Sequence, residues 1–194
     1  SDYDEARAVY NAMHDRKPRA VIQCVASADV MAAVAAGRDA GLDVAIRGGG
    51  HSVPGFGTVE DGLVIDLSKM KNVRVDPIKK VARVGGGATW GDVDHATYPF
   101  GLAAPGGVIS TTGVGGLTLG GGFGWLSRRW GLTCDHLVAA EIVTASGERA
   151  TVDADRHPEL YWALRGGGGG FAVVTSFRFA ARRMQPRVLA GPLF

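Results

Sequence analysis

Runs and lapses of apolar residues mark out a series of short elements along this chain. Residues 19–25 carry a Val and Ile run that predicts a buried strand. Val30, Ala33, Val34 and Gly37 recur at helical spacing, so an amphipathic helix is expected over 28–41. Ser27 or Asp29 would cap it, and it would end near Gly41. Residues 43–47 and 63–67 read as two further strands. The strand–helix–strand order predicts that the first two strands pair in parallel. A short helix is expected over 4–13, a hairpin of 73–75 with 81–84 around Pro77, and a helix over 89–98. A second hairpin, 137–144 with 149–152, turns at Ser146-Gly147. A helix over 158–164 starts on proline, and a strand covers 171–179. Residues 101–124 show no clean period and read as extended loop. The expected fold class is α+β. An N-terminal βαβ lobe, 1–75, is followed by a second lobe, 76–194, whose sheet is mostly antiparallel.

Composition changes this picture in one respect. The 194-residue chain holds 30 glycines, about 15% against a usual 7%. They come in bursts at 48–50, 85–87, 106–107, 113–124 and 166–170, separated by ordinary elements. Glycine in a folded chain costs conformational entropy, and close approach of main chain to a large ligand is the natural return. The net charge of +2 and scattered Lys and Arg argue against nucleic acid. Arg182, Arg183 and Arg187 read as a solvated tail. Cys24, in an apolar run, reads as core. With Cys134 it forms no C-x-x-C, and no H-E-x-x-H occurs, so no metal is expected. No run is long enough to span a membrane. The polar start Ser1-Asp2-Tyr3-Asp4-Glu5 is unlike a signal peptide, which favours a cytoplasmic location.

Candidate chemistry gathers at the glycine bursts. In Arg47-Gly48-Gly49-Gly50-His51-Ser52, residues without Cβ follow a strand end. Successive amides there can converge on an anion such as a pyrophosphate, or merely form a long turn. Val53 and Pro54 break the Rossmann fingerprint, and no Gly-Lys pair exists for a Walker loop. His51 could be a polar loop residue, a base, a ligand or a nucleophile. From Thr111 to Gly124, glycines alternate with small apolar residues, which lets main chain lie flat on a planar ring system. Linkers use Gly and Ser rather than Val, Leu and Phe. The five glycines 166–170 are either a linker or a wall beneath a ligand. Asp92 and Asp94, two apart on a helix, read as solvated charges.

Taken together, Arg47-Gly-Gly-Gly-His51-Ser52, the stretch from Thr112 to Gly124, Gly131-Leu-Thr-Cys-Asp135 and Arg165-Gly-Gly-Gly-Gly resemble the berberine bridge enzyme-like FAD-linked oxidases of the vanillyl-alcohol oxidase and para-cresol methylhydroxylase superfamily. The resemblance spans roughly residues 15–185. It implies a two-lobed FAD-binding domain with FAD extended between the lobes. It implies that Arg47, Gly48, Gly49, Gly50, His51 and Ser52 hold the pyrophosphate, with His51 bonded to the flavin 8α carbon. Gly106, Thr111 and Thr112 would contact the cofactor, and Gly113, Gly116, Leu119, Gly121, Gly122 and Gly124 would follow the isoalloxazine. Ile142, Gly169 and Val173 would flank the adenosine half.

The implied reaction is oxidation of a small organic substrate by hydride transfer to flavin N5, with dioxygen as acceptor. The rival readings are a non-catalytic flavin-binding fragment and a reductase using NADPH with non-covalent FAD. Some members of the family carry a second link, from a cysteine to flavin C6. That position falls at or next to Gly113, and Cys134 lies elsewhere, so one link at most is implied. At Gly170 and Ala172 the family pattern has Asn and Gly. The family normally continues into a substrate lobe and a segment that supplies a tyrosine base. On that resemblance the chain reads as a fragment, with the catalytic base outside it and little turnover of its own.

Overall fold

The computed structural model describes residues 2–185 and 187. The chain runs α1 (Asp2–Arg7), β1 (Ala20–Gln23), α2 (Ser27–Asp39), β2 (Val44–Arg47), β3 (Leu63–Asp66), β4 (Val73–Asp76), β5 (Val81–Gly85) and α3 (Trp90–Thr97). It continues through β6 (Leu102–Ala103), α4 (Val114–Leu119), α5 (Ser127–Trp130), β7 (Leu137–Val143), β8 (Arg149–Val152), α6 (Pro158–Ala163), β9 (Val173–Ala180) and β10 (Arg182–Arg183).

The N-terminal sheet is parallel, in the order β1-β3-β2. The first two strands therefore do not pair with each other, contrary to the sequence expectation. Each pairs with β3 instead. β3 is the strand covered on both faces: all four of its residues are buried, Asp66 included, and Leu63 and Ile65 enter the core shared with the second sheet, whereas the edge strands β1 and β2 each expose residues. Helix α2 crosses between β1 and β2. Its third residue, Asp29, accepts hydrogen bonds from the amides of Val25 and Ala26, each at 2.9 Å. Asp29→Ala is expected to cost about 1 kcal/mol through the lost cap, read as a lower urea midpoint with unchanged slope.

The second sheet is antiparallel, in the order β4-β5-β9-β7-β8. One face packs Val84, Ile142, Phe177 and Phe179 against Trp90 and Val93 of α3, Val114 of α4 and Leu164. On the other side, Val143 and Val173 join Cys24, Val30, Ala33, Leu63 and Ile65, so the two sheets share a second core. Asp92 is not a free charge. Its carboxylate accepts from the Thr89 amide at 2.9 Å, and Thr89 Oγ1 accepts from the Asp92 amide, which caps α3. The helix expected over 4–13 is shorter and starts earlier, as α1.

Two glycine bursts are explained by the fold itself. A methyl group on Gly85, Gly86 or Gly87 would overlap the carbonyl of Met70, Val174 or Leu67 respectively. These glycines let the segment leaving β3 cross the end of β5, where Gly87 N donates to Met70 O. Likewise a methyl on Gly124 would strike the Gly106 carbonyl, and one on Gly106 would enter the Trp90 ring. The segment 101–124 is also not all loop. It contains β6 and the helix α4, whose buried Val114 and Thr118 anchor it, with Thr118 Oγ1 donating to Val114 O at 2.7 Å.

Candidate functional site

The site is built at the carboxyl end of β2. Arg47 ends that strand, and its partner in the β2–β3 register is Asp66, the end of β3. Both side chains are buried, and Arg47 Nη2 lies 3.0 Å from Asp66 Oδ2. Arg47 also donates to the carbonyls of Ala6 and Ala8, tying the N-terminal segment over the strand ends. Burial by itself would push the Asp66 carboxyl up. The Arg47 guanidinium and the Ser68 hydrogen bonds outweigh it and hold the carboxyl below its ordinary value. The guanidinium charge is thereby spent within the protein, and Arg47 acts on the site by holding the loop that follows it. Beside this pair lies a cavity of about 470 Å³ lined by Tyr10, Gln23, Gly49, Gly50, Ser68 and Lys69 among others.

In the loop itself, the amides of Gly49, Gly50, His51 and Ser52 have no hydrogen-bond acceptor among the described residues. Four consecutive free amides form the kind of concavity that receives an anion. Gly50 has φ +68°, open to glycine at no steric cost. Ser52 Oγ accepts from the Phe56 amide at 3.0 Å and closes the loop. Gly49 packs directly on Gly113, where a methyl group on Gly49 would lie 2.5 Å from the Gly113 Cα. The segment of Thr111, Thr112 and Gly113 is fixed in turn on the start of α3, since Trp90 N donates to Thr112 O at 3.0 Å and Val114 N to Ala88 O at 2.9 Å. This contact brings Thr111 to the histidine, with Thr111 Oγ1 3.2 Å from His51 Nε2. Tyr10 stacks on the other side, its ring 3.8 Å from the imidazole at 17°. Sequence reasoning missed both Tyr10 and Asp66. Asp66 was discoverable as the one charge in an apolar strand, whereas Tyr10 leaves no sequence signal.

The remaining candidate glycines divide into two kinds. Gly121 and Gly122 have positive φ, and their carbonyls accept from the Cys134 and Thr133 amides, each at 2.9 Å. They shape the chain. Gly116, Gly168, Gly169 and Gly170 have nothing within 4 Å of where a Cβ would stand. They leave open surface, and Gly168 and Gly170, with positive φ, shape the chain as well. The run 166–170 is a fixed turn, with Gly167 N bonded to Ala163 O and Gly168 N to Leu119 O at 2.8 Å. The side chains of Ile142 and Val173 are buried in the sheet, so only their backbone can face a ligand. Beyond Gly122, Phe123 and Trp125 stand exposed. Cys24 is fully buried, and burial pushes its thiol up to about 11. Burial and Asp135 raise that of Cys134, so neither is a thiolate at neutral pH. Among the described residues no group of three or more His, Cys, Asp or Glu could hold a metal ion, and no helix is long and apolar enough to cross a membrane.

Free amides beside a glycine-lined surface suit a dinucleotide cofactor, and comparison with known proteins identifies which one. Residues 18–153 match the family model described as FAD binding domain. The chain belongs to this family, among the berberine bridge enzyme-like FAD-linked oxidases of the vanillyl-alcohol oxidase and para-cresol methylhydroxylase superfamily. It is 43% identical over 185 residues to an uncharacterized FAD-linked oxidoreductase, YgaK, of Bacillus subtilis, covering 93% of this chain and 41% of the relative. It is 36% identical over 191 residues to (R)-6-hydroxynicotine oxidase of Paenarthrobacter nicotinovorans, covering 98% and 42%. The crystal structure of 6-hydroxy-D-nicotine oxidase from Arthrobacter nicotinovorans superposes with a TM-score of 0.92 at 36% identity, over 94% of this chain and 40% of that one. Glucooligosaccharide oxidase from Acremonium strictum, described with a 6-S-cysteinyl, 8α-N1-histidyl FAD, superposes with a TM-score of 0.88 at 36% identity, over 93% of this chain and 39% of that one. The chain thus spans about two fifths of the length of the curated relatives it matches.

Proposed function

We propose that this chain forms the FAD-binding part of an oxidase whose flavin is anchored covalently through His51. The observation that carries the reading is the position of His51: it stands within four free amides, with its imidazole presented at the seam between the loop and the segment around Thr111. The amides from Gly49 to Ser52 receive the pyrophosphate. The isoalloxazine follows the segment from Thr111 to Gly124 over the open face at Gly116, and the adenosine half lies towards Ile142, Gly169 and Val173. The lobes divide in the segment 67–72, between β3 of the parallel sheet and β4 of the antiparallel sheet, a few residues before position 75. The full protein oxidises a small organic substrate by hydride transfer to the flavin, with dioxygen as acceptor. Phe123, within that stretch, and Trp125, just past it, are exposed apolar side chains available to such a substrate. The names of the relatives, oxidases of a nicotine derivative and of a glucooligosaccharide, support this class of reaction.

Attachment through an imidazole withdraws electrons from the ring system and raises its reduction potential. His51→Ala is therefore expected to bind FAD that leaves the chain on denaturation, and to show a lower potential. The wild-type chain should keep one FAD on the peptide bearing His51. Intact mass after denaturation and a redox titration read the two effects. A His51→Ala chain that still carried covalent flavin would sink the assignment, and so would a wild-type chain that released all of it.

A further inference from the structure

We propose that Thr111 and Tyr10 are positioning residues that set His51 up for attachment to the flavin, an inference that rests on His51 being the anchor. Of the two imidazole nitrogens, Nε2 is engaged by Thr111 Oγ1 at 3.2 Å, and Nδ1 has no partner among the described residues. A hydroxyl oxygen that accepts from Nε2–H leaves the lone pair on Nδ1, and only a nitrogen with a free lone pair can form the bond. Tyr10 covers the ring face at 3.8 Å and 17°. A flat ring stacked in this way resists rotation about the Cβ–Cγ bond, so the two nitrogens do not exchange places.

Both partners are themselves held. The Tyr10 amide donates to Gly50 O at 3.1 Å. Its neighbour Asn11 donates to Val53 O at 2.8 Å, and His14 Nε2 lies 2.8 Å from the same oxygen. Thr111 is carried on the segment fixed to α3 and packed on Gly49. The imidazole comes from the loop after β2 and the hydroxyl from a segment 60 residues later. The reactive arrangement therefore exists only when the two are docked.

The bond that forms joins Nδ1 to the flavin 8α carbon. One C–H hydrogen and the imidazole N–H hydrogen leave as protons, and two electrons pass to the flavin. Dioxygen then takes those two electrons and two protons to give hydrogen peroxide. Positive charge builds on the ring as Nδ1 bonds carbon. The Nε2–H···Oγ1 contact disperses it and leads the proton out by way of Thr111.

The test mixes flavin-free chain with FAD in air, at FAD concentrations that saturate each variant, and follows the mass increase of the denatured protein with time. Loss of one positioning contact at a reacting atom slows such a step by up to about 100-fold. That is the expected effect of Thr111→Val, with Thr111→Ser restoring attachment to within about 3-fold of wild type because its hydroxyl is kept. Tyr10→Leu should slow attachment about 10-fold, and Tyr10→Phe, which keeps the stack, should not. Imidazole nitrogen-15 shifts in the flavin-free chain should report a single Nε2–H form in wild type and a mixture in Thr111→Val, which a merely structural role would not produce. Attachment at the wild-type rate in both Thr111→Val and Tyr10→Leu overturns the inference, as does an unchanged imidazole spectrum in Thr111→Val. A wild-type chain that never gains covalent flavin removes the anchor assignment, and this inference with it. Slow but complete attachment in the variants leaves the anchor standing and supports the positioning roles.

Discussion

Arg47→Met is expected to destabilise the chain by about 3–5 kcal/mol at neutral pH, the cost of leaving a buried charge without its partner. Asp66 has a side chain 2% exposed, and the methionine offers it neither charge nor hydrogen bond. The pH dependence separates this cause from simple repacking. In the wild type the folded carboxyl of Asp66 titrates below its ordinary value. The pair's contribution is therefore fully present above the unfolded carboxyl pKa of about 3.9 and is lost as pH falls through the lower folded value. In the variant, burial without Arg47 favours the protonated acid. The folded variant holds that proton to higher pH than the unfolded chain does, so its deficit grows as pH rises. Urea midpoints should show the wild-type and variant curves far apart at pH 7 and converging below about pH 4. An equal gap at both pH values would mean that lost packing, not the stranded carboxylate, is responsible. Adding Asp66→Leu should recover much of the loss, since a buried pair replaced by apolar residues is often neutral. Because Gly48 follows Arg47 directly, the single variant should also loosen FAD binding.

A pair of glycine substitutions should have opposite effects on the stability of the flavin-free chain while both weaken FAD binding. Gly113 has φ −66° and ψ 135°, which any residue adopts, so its glycine answers a demand for space alone. A methyl there would lie 2.5 Å from Gly49 N and 2.8 Å from Gly49 Cα. Gly113→Ala is expected to push the two loops apart at a cost of about 1–3 kcal/mol in the flavin-free protein. FAD affinity should fall by about 10–100-fold, on the scale of 1.4 kcal/mol for each factor of ten. Gly116 sits inside α4 with no atom beyond its own helix backbone within 4 Å of its missing Cβ. Gly116→Ala should stabilise the flavin-free chain by about 0.5–1 kcal/mol through helix propensity, while weakening FAD binding if the isoalloxazine lies on that face. Urea midpoints without flavin, paired with FAD titrations by fluorescence, read both effects. A Gly116→Ala chain that binds FAD like the wild type would move the flavin off α4.

Much of this architecture is legible in local pattern. The apolar runs at 20–23, 44–47, 63–66 and 173–180 announce strands, and the caps and breakers around α2 and α6 place those helices within one or two residues. The motif at 47–52 is legible too, because three glycines directly follow a strand end, whereas the role of His51 came only from the family resemblance. What failed has an identifiable cause in each case. Helix α4 holds two glycines in six residues, so its intrinsic propensity is poor, and burial of Val114 and Thr118 makes it a helix. The strand order depends on which strand is covered on both sides, which is a property of the assembled layers.

The glycines draw the boundary most clearly. Their abundance and clustering follow from the chain alone, and so does the expectation that ligand or backbone approaches closely at some of the bursts. Whether that something is a ligand or another stretch of the same backbone does not. At 85–87 it is the carbonyls of Leu67, Met70 and Val174, at Gly124 it is the Gly106 carbonyl, and at Gly116 and 168–170 the space stays open. The same holds for Arg47, which as a sequence motif invites a phosphate and in the folded chain is committed to Asp66. It holds for His51, whose partners Tyr10 and Thr111 come from 41 residues before it and 60 residues after it. Periodicity, capping and turn chemistry act over a few residues and are written in neighbouring letters. Close approach and charge pairing join segments whose proximity exists only after the sheets have packed.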